Sequence, residues 1–337
     1  MKFKVLILTD HKSHSGENSL YDLAVKMLQH ELTAKIDIVS RVNSENDDFF
    51  NCKTSAPIYA TEIDESFSYN IESHPLSRNY VQIDSSDYDL VWLRLPPPLS
   101  KNFLNYISSY FQNIPIINDP KGIYETGSKE FLINFETICP PLEICRSIDD
   151  INKFKSKFPI VLKPFREYGG RGIVKINGEE VSEGNHKISF ETFAKQYEQN
   201  PIEYLAVKFL KNVDKGDKRI IVVKGKILGA SLRLPPKDSW ICNVSMGGSS
   251  NIADVDPEEE EIVRLVDPML SKMGIVMYGI DTLVDDEGKR VLSEINTTSI
   301  GGLPQVARFK KQPLVEEAID LIWKYYLDKF NTKKKEQ

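Results

Sequence analysis

The sequence lacks the features of disulfide-rich, zinc-binding or membrane proteins. It has only four cysteines, at positions 52, 139, 145 and 242, and no Cys-x-x-Cys pair, so neither a disulfide framework nor a structural zinc site is expected. No apolar run approaches the roughly 20 residues needed to cross a bilayer. The apolar stretch at the N-terminus is too short for a signal peptide and ends on a charge. We therefore expect a cytoplasmic protein with no membrane contact.

The chain also lacks an excess of basic residues. It has 43 Lys and Arg against 49 Asp and Glu, for a net charge of −6. A non-specific nucleic-acid binder needs a basic face, so we predict no nucleic-acid partner. The 337 residues are enough for two or three packed units. A homo-oligomer is compatible with the sequence, which does not decide the oligomeric state.

Short apolar runs alternate with helical patterns over the first 120 residues. This alternation is typical of an open α/β sheet. A loop-rich insertion, polar with only short extended pieces, interrupts the pattern at 43–88. The predicted strands are 5–9, 36–39, 89–95 and 114–117, and the predicted helices are 19–31 and 101–112.

The rest of the chain carries mostly antiparallel signals, which indicates an α+β arrangement. Strands 218–223 and 227–234 flank a Lys224-Gly225 turn and form one predicted hairpin. Strands 275–284 and 290–296 form a second hairpin about residues 286–289. A boundary between the two parts is predicted at residues 119–122. Helices are predicted around 129–135, 149–157, 258–273 and 313–330, and further strands at 142–146, 159–163, 173–176 and 204–210.

The second hairpin carries the most specific pattern. If its four-residue turn is centred between Glu287 and Gly288, Asp281 pairs directly with Glu294. Asn296 then lies on the same face, because side chains alternate along a strand. Two facing carboxylates repel each other, whereas oxygen donors that converge suit Mg²⁺. A solvated polar face remains the alternative, since a slip of one residue would separate the pair.

Lys163 ends a predicted strand and precedes a glycine-bearing segment, 166–172. Such a segment lets backbone N–H groups approach phosphate oxygens, while the lysine supplies a positive charge. It matches neither the P-loop nor the dinucleotide-binding fingerprint. A simple tight turn is the alternative reading of its glycines.

Several basic residues lie near predicted strand ends. Arg219 and Arg233 occupy adjacent strands of the first hairpin, where guanidinium groups can clamp a phosphate or a carboxylate. Lys129 is a third candidate, although each residue taken singly could equally be a surface charge. Arg94 ends a strand of the first sheet, where open α/β sheets bind ligands.

Taken in order, these pieces resemble bacterial glutathione synthetase and the wider ATP-grasp superfamily. The resemblance is strongest from about residue 89 to 318. The motifs that carry it are Trp92-Leu93-Arg94-Leu95-Pro96-Pro97-Pro98, Gly127-Ser128-Lys129, Val161-Leu162-Lys163-Pro164, Gly216-Asp217-Lys218-Arg219, Leu232-Arg233-Leu234-Pro235, Asn243 with Gly247-Gly248, Gly279-Ile280-Asp281, and Glu294-Ile295-Asn296-Thr297-Thr298-Ser299.

The resemblance implies an N-terminal open α/β (pre-ATP-grasp) domain over 1–120, followed by an ATP-grasp fold with antiparallel sheets. Its lid subdomain would span 121–200 and its C-terminal subdomain, with the metal site, 201–330. The implied reaction transfers the γ-phosphate of ATP to a substrate carboxylate, and an amine then attacks the acylphosphate. The implied partners are ATP, Mg²⁺, a small carboxylic acid and an amine.

The resemblance also implies roles for individual residues. ATP would be bound by Lys129, Lys163, Gly169, Gly170, Asp217 and the hinge residues Val207, Lys208, Phe209 and Leu210. The reaction centre would be lined by Arg219, Arg233 and Asn243. The magnesium ions would be held by Asp281, Glu294 and Asn296.

The chain departs from the family pattern where the substrates are expected. Glu167 replaces a glycine of the loop, Ile241 and Ser249 replace arginines, and 300–304 differs. Glutathione synthesis from γ-glutamylcysteine and glycine remains the leading prediction, because it is what the resemblance implies. A related ligase with another acid or amine is the first alternative. A non-catalytic ATP-binding regulatory protein is the second.

Overall fold

A computed structural model describes residues 1–77, 79–184, 186–236 and 249–336. Its strands form three sheets, which follow one another along the chain. The first is built largely from parallel pairs, whereas the second and third contain only antiparallel pairs among the residues described. The predicted α/β part followed by an antiparallel part is confirmed.

The first sheet has the strand order β4-β3-β2-β1-β5-β6. Strands β1 and β5, which are neighbours in this sheet, are almost wholly buried, because their apolar side chains are covered on both faces of the sheet. The short strands β3 and β4 come from the predicted loop-rich insertion and pair antiparallel. The bounds are β1 Phe3–Thr9, α1 Leu20–Gln29, β2 Thr33–Ser40, α2 Asp47–Phe50, β3 Ile58–Glu62, β4 Val81–Ile83, β5 Leu90–Arg94, α3 Lys101–Tyr110, β6 Ile116–Ile117 and α4 Pro120–Thr126.

The predicted boundary at 119–122 is the start of α4. Asp119 caps this helix by accepting hydrogen bonds from the N–H groups of Lys121 and Gly122, and Pro120 occupies its first turn. A 3₁₀ helix over Lys129–Ile138 follows. It replaces the short helix predicted around 129–135.

The second sheet has the order β11-β10-β9-β8-β12-β7. Strands β10 and β11 were not predicted because they contain mostly exposed polar residues and no apolar run. The helix that follows them, α6, was also not predicted, although Phe190, Phe193 and Tyr197 lie on its buried face. The bounds are β7 Leu142–Cys145, α5 Ile148–Lys155, β8 Ile160–Pro164, β9 Val174–Asn177, β10 Glu180–Glu183, β11 His186–Ser189, α6 Phe190–Gln199 and β12 Tyr204–Lys208.

The third sheet has the order β15-β14-β13-β16-β17. It contains both predicted hairpins, β13–β14 and β16–β17, joined through the central pair β13–β16. The bounds are β13 Asp217–Val223, β14 Lys226–Leu234, β15 Ser249–Ala253, α7 Pro257–Lys272, β16 Met277–Val284, β17 Arg290–Asn296, α8 Leu303–Lys310 and α9 Leu314–Glu336.

The hydrophobic cores show how the three sheets are connected. The second sheet, with α5 and α6, encloses a cluster of its own. The first and third sheets instead share a cluster in which α1 and α9 take part, with Trp323 of α9 stacked on Phe3 of β1. The first and third sheets thus pack together as one body around that cluster. A further cluster packs Leu205 and Val207 of the second sheet against both. Among the described residues, no helix is long and apolar enough to cross a membrane.

Candidate active site

A cavity of about 790 Å³ lies where the three sheets approach one another. The first sheet contributes loops after its strands, the second contributes the ends of β8 and β12, and the third contributes the faces of its hairpins. The predicted site residues that line it are Lys163, Gly169, Gly170, Val207, Lys208, Phe209, Leu210, Asp217, Arg219, Arg233, Asp281, Glu294 and Asn296. Residues predicted from separate motifs therefore surround one space.

The predicted pairing of Asp281 with Glu294 is present in the β16–β17 hairpin. The reasoning behind it was partly wrong, because the connection spans the five residues 285–289. This connection is one residue longer than predicted. From the turn as far as Thr282 and Leu292, the strands therefore pair one residue away from the predicted register. A bulge between Asp281 and Thr282 then shifts it back, with Ser293 as the extra residue. The two offsets cancel, so the two carboxylates face each other as predicted.

Asp281 is the centre of a network of charged side chains. Arg219 donates to both of its carboxylate oxygens, from Nε to Oδ1 and from Nη2 to Oδ2, each over 2.7 Å. Arg233 Nη2 donates to Oδ2 of Asp281 over 2.7 Å. The same guanidinium group donates to Asp217, from Nε to Oδ1 and from Nη2 to Oδ2. Asn296 donates its amide to the same Oδ2 over 3.1 Å. Two guanidinium groups thus offset the charges of two carboxylates beside the cavity.

The environment of this network shifts the pKa values of Asp281 and Asp217 in opposite directions. Burial alone would raise the pKa of Asp281, but the two arginines hold it below its ordinary value. The pKa of Asp217 is raised to about 6 by burial and by the negative charge of Asp281, against the effect of Arg233. Asp281 therefore remains ionised at neutral pH, as a cation ligand must.

Lys163 lies at the end of β8 and reaches the bulged strand. Its Nζ is 3.4 Å from both the carbonyl oxygen and Oγ of Ser293. Gly169 and Gly170 follow with φ of 69° and 81°, values that side-chain-bearing residues rarely adopt. Both glycines line the cavity together with Lys163.

The residues predicted as the nucleotide hinge lie at the end of β12. Val207 pairs with Val161 of β8, and the N–H of Phe209 donates to the carbonyl of Pro159 over 2.8 Å. Lys208 Nζ forms an ion pair of 2.7 Å with Asp286, at the tip of the β16–β17 hairpin. The hinge segment is thereby tied to the hairpin that carries Asp281.

Two of the predicted residues do not line this cavity, and a third lies outside the described part of the chain. Lys129 is not among the cavity-lining residues, and its Nζ instead donates to the carbonyl of Glu167. Arg94 is 3% exposed and does not line the cavity; it donates to Ile300 O and Ser19 Oγ. Burial lowers the pKa of Arg94 to about 10. Arg94 thus joins the first sheet to the segment after β17 rather than facing a ligand. Asn243 lies outside the described residues.

Sequence reasoning missed several cavity-lining residues. Asn18 reaches the cavity from the loop before α1, and its Oδ1 accepts a hydrogen bond from the N–H of Leu20. Ser293 became part of the site only through the bulge. Neither has a local motif, because each enters the site through the contact of distant segments.

The residues at the hairpin fit a magnesium ion that is shared with a nucleotide. Asp281, Glu294 and Asn296 provide only oxygen donors, which Mg²⁺ prefers. No group of three or more His, Cys, Asp or Glu suited to a metal occurs in the described part of the chain. Two carboxylates and an amide would leave coordination positions for phosphate oxygens. Asp281 would then share its charge between the ion and the two arginines.

A histidine cluster lies at the carboxyl edge of the first sheet. The rings of His11 and His74 stack with centroids 4.1 Å apart. Tyr21 Oη lies 2.8 Å from Nε2 of His74 and 3.0 Å from Nδ1 of His14. Burial lowers the pKa of both His14 and His74 to about 4, and neighbouring histidines act in the same direction. The cluster is therefore neutral at physiological pH.

We expect this cluster to make the fold sensitive to mild acid. A folded-state histidine pKa of about 4, below the ordinary value of 6.5, means that the unfolded chain binds protons first. The free energy of unfolding should fall as pH decreases from about 6.5 to 4. Urea unfolding across this range measures the effect, and His14→Asn with His74→Asn should flatten the slope. An unchanged slope would contradict this account.

Solved structures share this architecture. A D-cycloserine synthetase superposes with a TM-score of 0.65 at 11% identity, covering 96% of this chain and 99% of that one. D-alanine–D-alanine ligase from Bacillus anthracis, solved with ATP, gives a TM-score of 0.57 at 16% identity, covering all of both chains. An ATP-grasp protein of Sphaerobacter thermophilus gives 0.58 at 10% identity, with 94% and 98% covered. The fold is the predicted ATP-grasp fold.

Sequence comparisons identify the family within this fold. Residues 128–311 match the family described as prokaryotic glutathione synthetase, ATP-grasp domain, and the chain belongs to this family of ATP-dependent ligases. Glutathione synthetase of Bradyrhizobium diazoefficiens is 29% identical over 239 residues, 70% of this chain and 73% of that protein. The enzyme of Buchnera aphidicola is 27% identical over 314 residues, 85% and 94% respectively. The predicted resemblance is confirmed.

Proposed function

We propose that this chain is an ADP-forming carboxylate–amine ligase that makes glutathione from γ-glutamylcysteine and glycine in the cytoplasm. The observation that carries the proposal is the meeting of Asp281, Glu294 and Asn296 with Lys163 and two arginines around one cavity. The names of the relatives support the product.

ATP would lie between the second and third sheets. Its adenine would contact residues 207–210, and its phosphates would contact Lys163 and the backbone of Gly169 and Gly170. Lys129, whose pKa is lowered by burial and by the nearby charge of Lys163, would add a second cation. Asp217 would bind the ribose while sharing its oxygens with Arg233.

The transferred phosphoryl group would face the third sheet. Arg219 and Arg233 would stabilise the charge that develops on it, and Asn243 would complete the reaction centre. Magnesium held by Asp281, Glu294 and Asn296 would neutralise charge on the phosphate oxygens. The enzyme would act mainly by positioning the acid, the phosphate and the amine.

We also propose a three-part organisation, with a substrate domain over 1–120, a lid over 121–200 and a C-terminal subdomain over 201–330. Because β12 pairs inside the second sheet, a boundary near residue 210 describes the lid better than one at 200.

The segment 299–300 and Asn18 line the end of the cavity nearest the first sheet. The acid substrate would bind at that end.

The experiment that tests the function is a Mg²⁺-dependent assay of ADP release over a panel of acids and amines. We expect ADP release to require both γ-glutamylcysteine and glycine, with one amide formed for each ADP. Stimulation by another pair would instead identify a related ligase. If no pair stimulates release while ATP still binds, the chain is a non-catalytic nucleotide-binding protein.

A further inference from the structure

The segment 166–172 is docked onto a part of the molecule outside its own sheet. Tyr168 Oη donates to the carbonyl oxygen of Gly127 over 2.8 Å. Arg166 Nη1 donates to the carbonyl oxygen of Tyr124 over 2.9 Å, and its guanidinium carbon lies 3.9 Å from the centre of the Tyr124 ring. Two neighbouring side chains therefore fasten the segment to the C-terminal end of α4.

The end of α4 is itself fixed to the third sheet. Thr126 Oγ1 is 2.9 Å from Thr297 Oγ1, and Thr297 directly follows the proposed metal ligand Asn296. Gly122 of the same helix packs so closely on the carbonyl of Met273 that a Cβ there would lie 2.2 Å from its oxygen. The segment from the second sheet is thus held by an anchor that belongs to the body with the metal-binding hairpin.

Tyr168 also separates two spaces. Its side chain lines the large cavity, and it lines a small cavity of about 20 Å³ on the side of α4. Asn296 and Thr298 line both as well. The Tyr168 ring therefore forms part of the wall between the site and the region beside α4.

We propose that Tyr168 and Arg166 are positioning residues whose two contacts, with Gly127 and Tyr124, form a latch that holds segment 166–172 closed over the acylphosphate. This inference rests on the proposed function. The side chain of Tyr168 acts through the position of the segment, since its hydroxyl is used in the contact with Gly127.

The latch matters because the acylphosphate has two fates. Attack by the amine forms the C–N bond and breaks the C–O bond to phosphate, which leaves with the bonding electron pair while the nitrogen loses a proton. Attack by water breaks the same C–O bond and returns the acid, so that ATP is consumed without product. A closed segment excludes water from this competition.

The first test is the ratio of ADP to amide in Tyr168→Phe. Part of the ADP released has no matching amide, because water has hydrolysed the acylphosphate. Loss of one hydrogen bond should increase this unmatched ADP roughly two- to tenfold. Arg166→Met should act in the same direction, and the double variant more strongly. Tyr197→Phe is the matched control, because Tyr197 makes the same kind of bond, to Ile202 O over 2.9 Å, on α6. It should leave the ratio unchanged.

The second test is hydrogen exchange of the amides in 166–172, which needs no substrate. Tyr168→Phe should accelerate it by a similar factor, and Tyr197→Phe should not. Unchanged exchange would overturn the latch, and faster exchange with an unchanged ratio would overturn its protective role. If the wild type shows no acid- and amine-dependent ADP release, the proposed function fails and the protective role falls with it, while exchange still decides the latch.

Discussion

Asp281→Asn is expected to reduce kcat by roughly 10³-fold or more, equivalent to about 4 kcal/mol. The substitution removes a proposed magnesium ligand that is 2% exposed. It also leaves Arg219 without its carboxylate partner and Arg233 with Asp217 alone. Two effects are therefore combined, and ADP release together with urea unfolding must be measured on the same variant.

Glu294→Gln separates the two effects. Glu294 faces Asp281 across the hairpin but makes none of the arginine contacts described for Asp281. We expect a similar loss of turnover and a higher half-saturating Mg²⁺ concentration, with unfolding unchanged. Glu287→Gln, at an exposed position of the same hairpin, is the matched control and should behave as wild type. Normal turnover in Glu294→Gln would refute the metal assignment.

Glu259→Gln is expected to cause the largest loss of stability, about 3 kcal/mol. Glu259 is fully buried at the start of α7. It accepts hydrogen bonds from Lys218 Nζ over 2.8 Å, Thr282 Oγ1 over 2.6 Å and the N–H of Asp256 over 2.9 Å. Neutralising it leaves the buried ammonium of Lys218 with the half-exposed Asp256 as its remaining carboxylate.

The midpoint of urea unfolding measures this effect. Glu261→Gln on the same helix is the control. Within the described part of the chain Glu261 pairs with the exposed Arg264 alone, and its loss should not shift the midpoint. Replacing both buried partners, Lys218→Met with Glu259→Leu, should restore part of the lost stability. A midpoint unchanged by Glu259→Gln would show that the buried pair does not stabilise the fold.

Much of the fold could be predicted because its strands are either continuous apolar runs or hairpins with clear turns. Strand β5 and the β13–β14 hairpin belong to these two types. Strands β10 and β11 could not be predicted, since Val181 and Ile188 are their main apolar residues facing the core. Helix α4 was read as a boundary because its capping residues, Asp119 and Pro120, also occur in loops.

The candidate site was predictable to the extent that each residue lay in a recognisable motif. The motifs of Lys163, Arg219 and Asp281 support the family resemblance, which implied that they share one site, and all three line the cavity. Contacts that arise only from packing were beyond the sequence. The partners of Asp281 depend on the pairing of β13 with β16, which sets Arg219 opposite Asp281. The buried position of Arg94 depends on how the first sheet meets the segment after β17. No local pattern encodes either contact.

The cancelling offsets in the β16–β17 hairpin divide it into two independently adjustable parts. Three paired residues on each strand separate the five-residue connection from the bulge. A change in the length of the connection would alter its reach toward Lys208 and the N–H of Lys211, which contact Asp286. It would leave Asp281 opposite Glu294. Removal of Ser293 would instead move Asp281 out of its position opposite Glu294 and leave the contacts of the tip unchanged. The length of the tip, near the proposed site of the nucleotide base, can therefore change without moving the carboxylates proposed to hold magnesium.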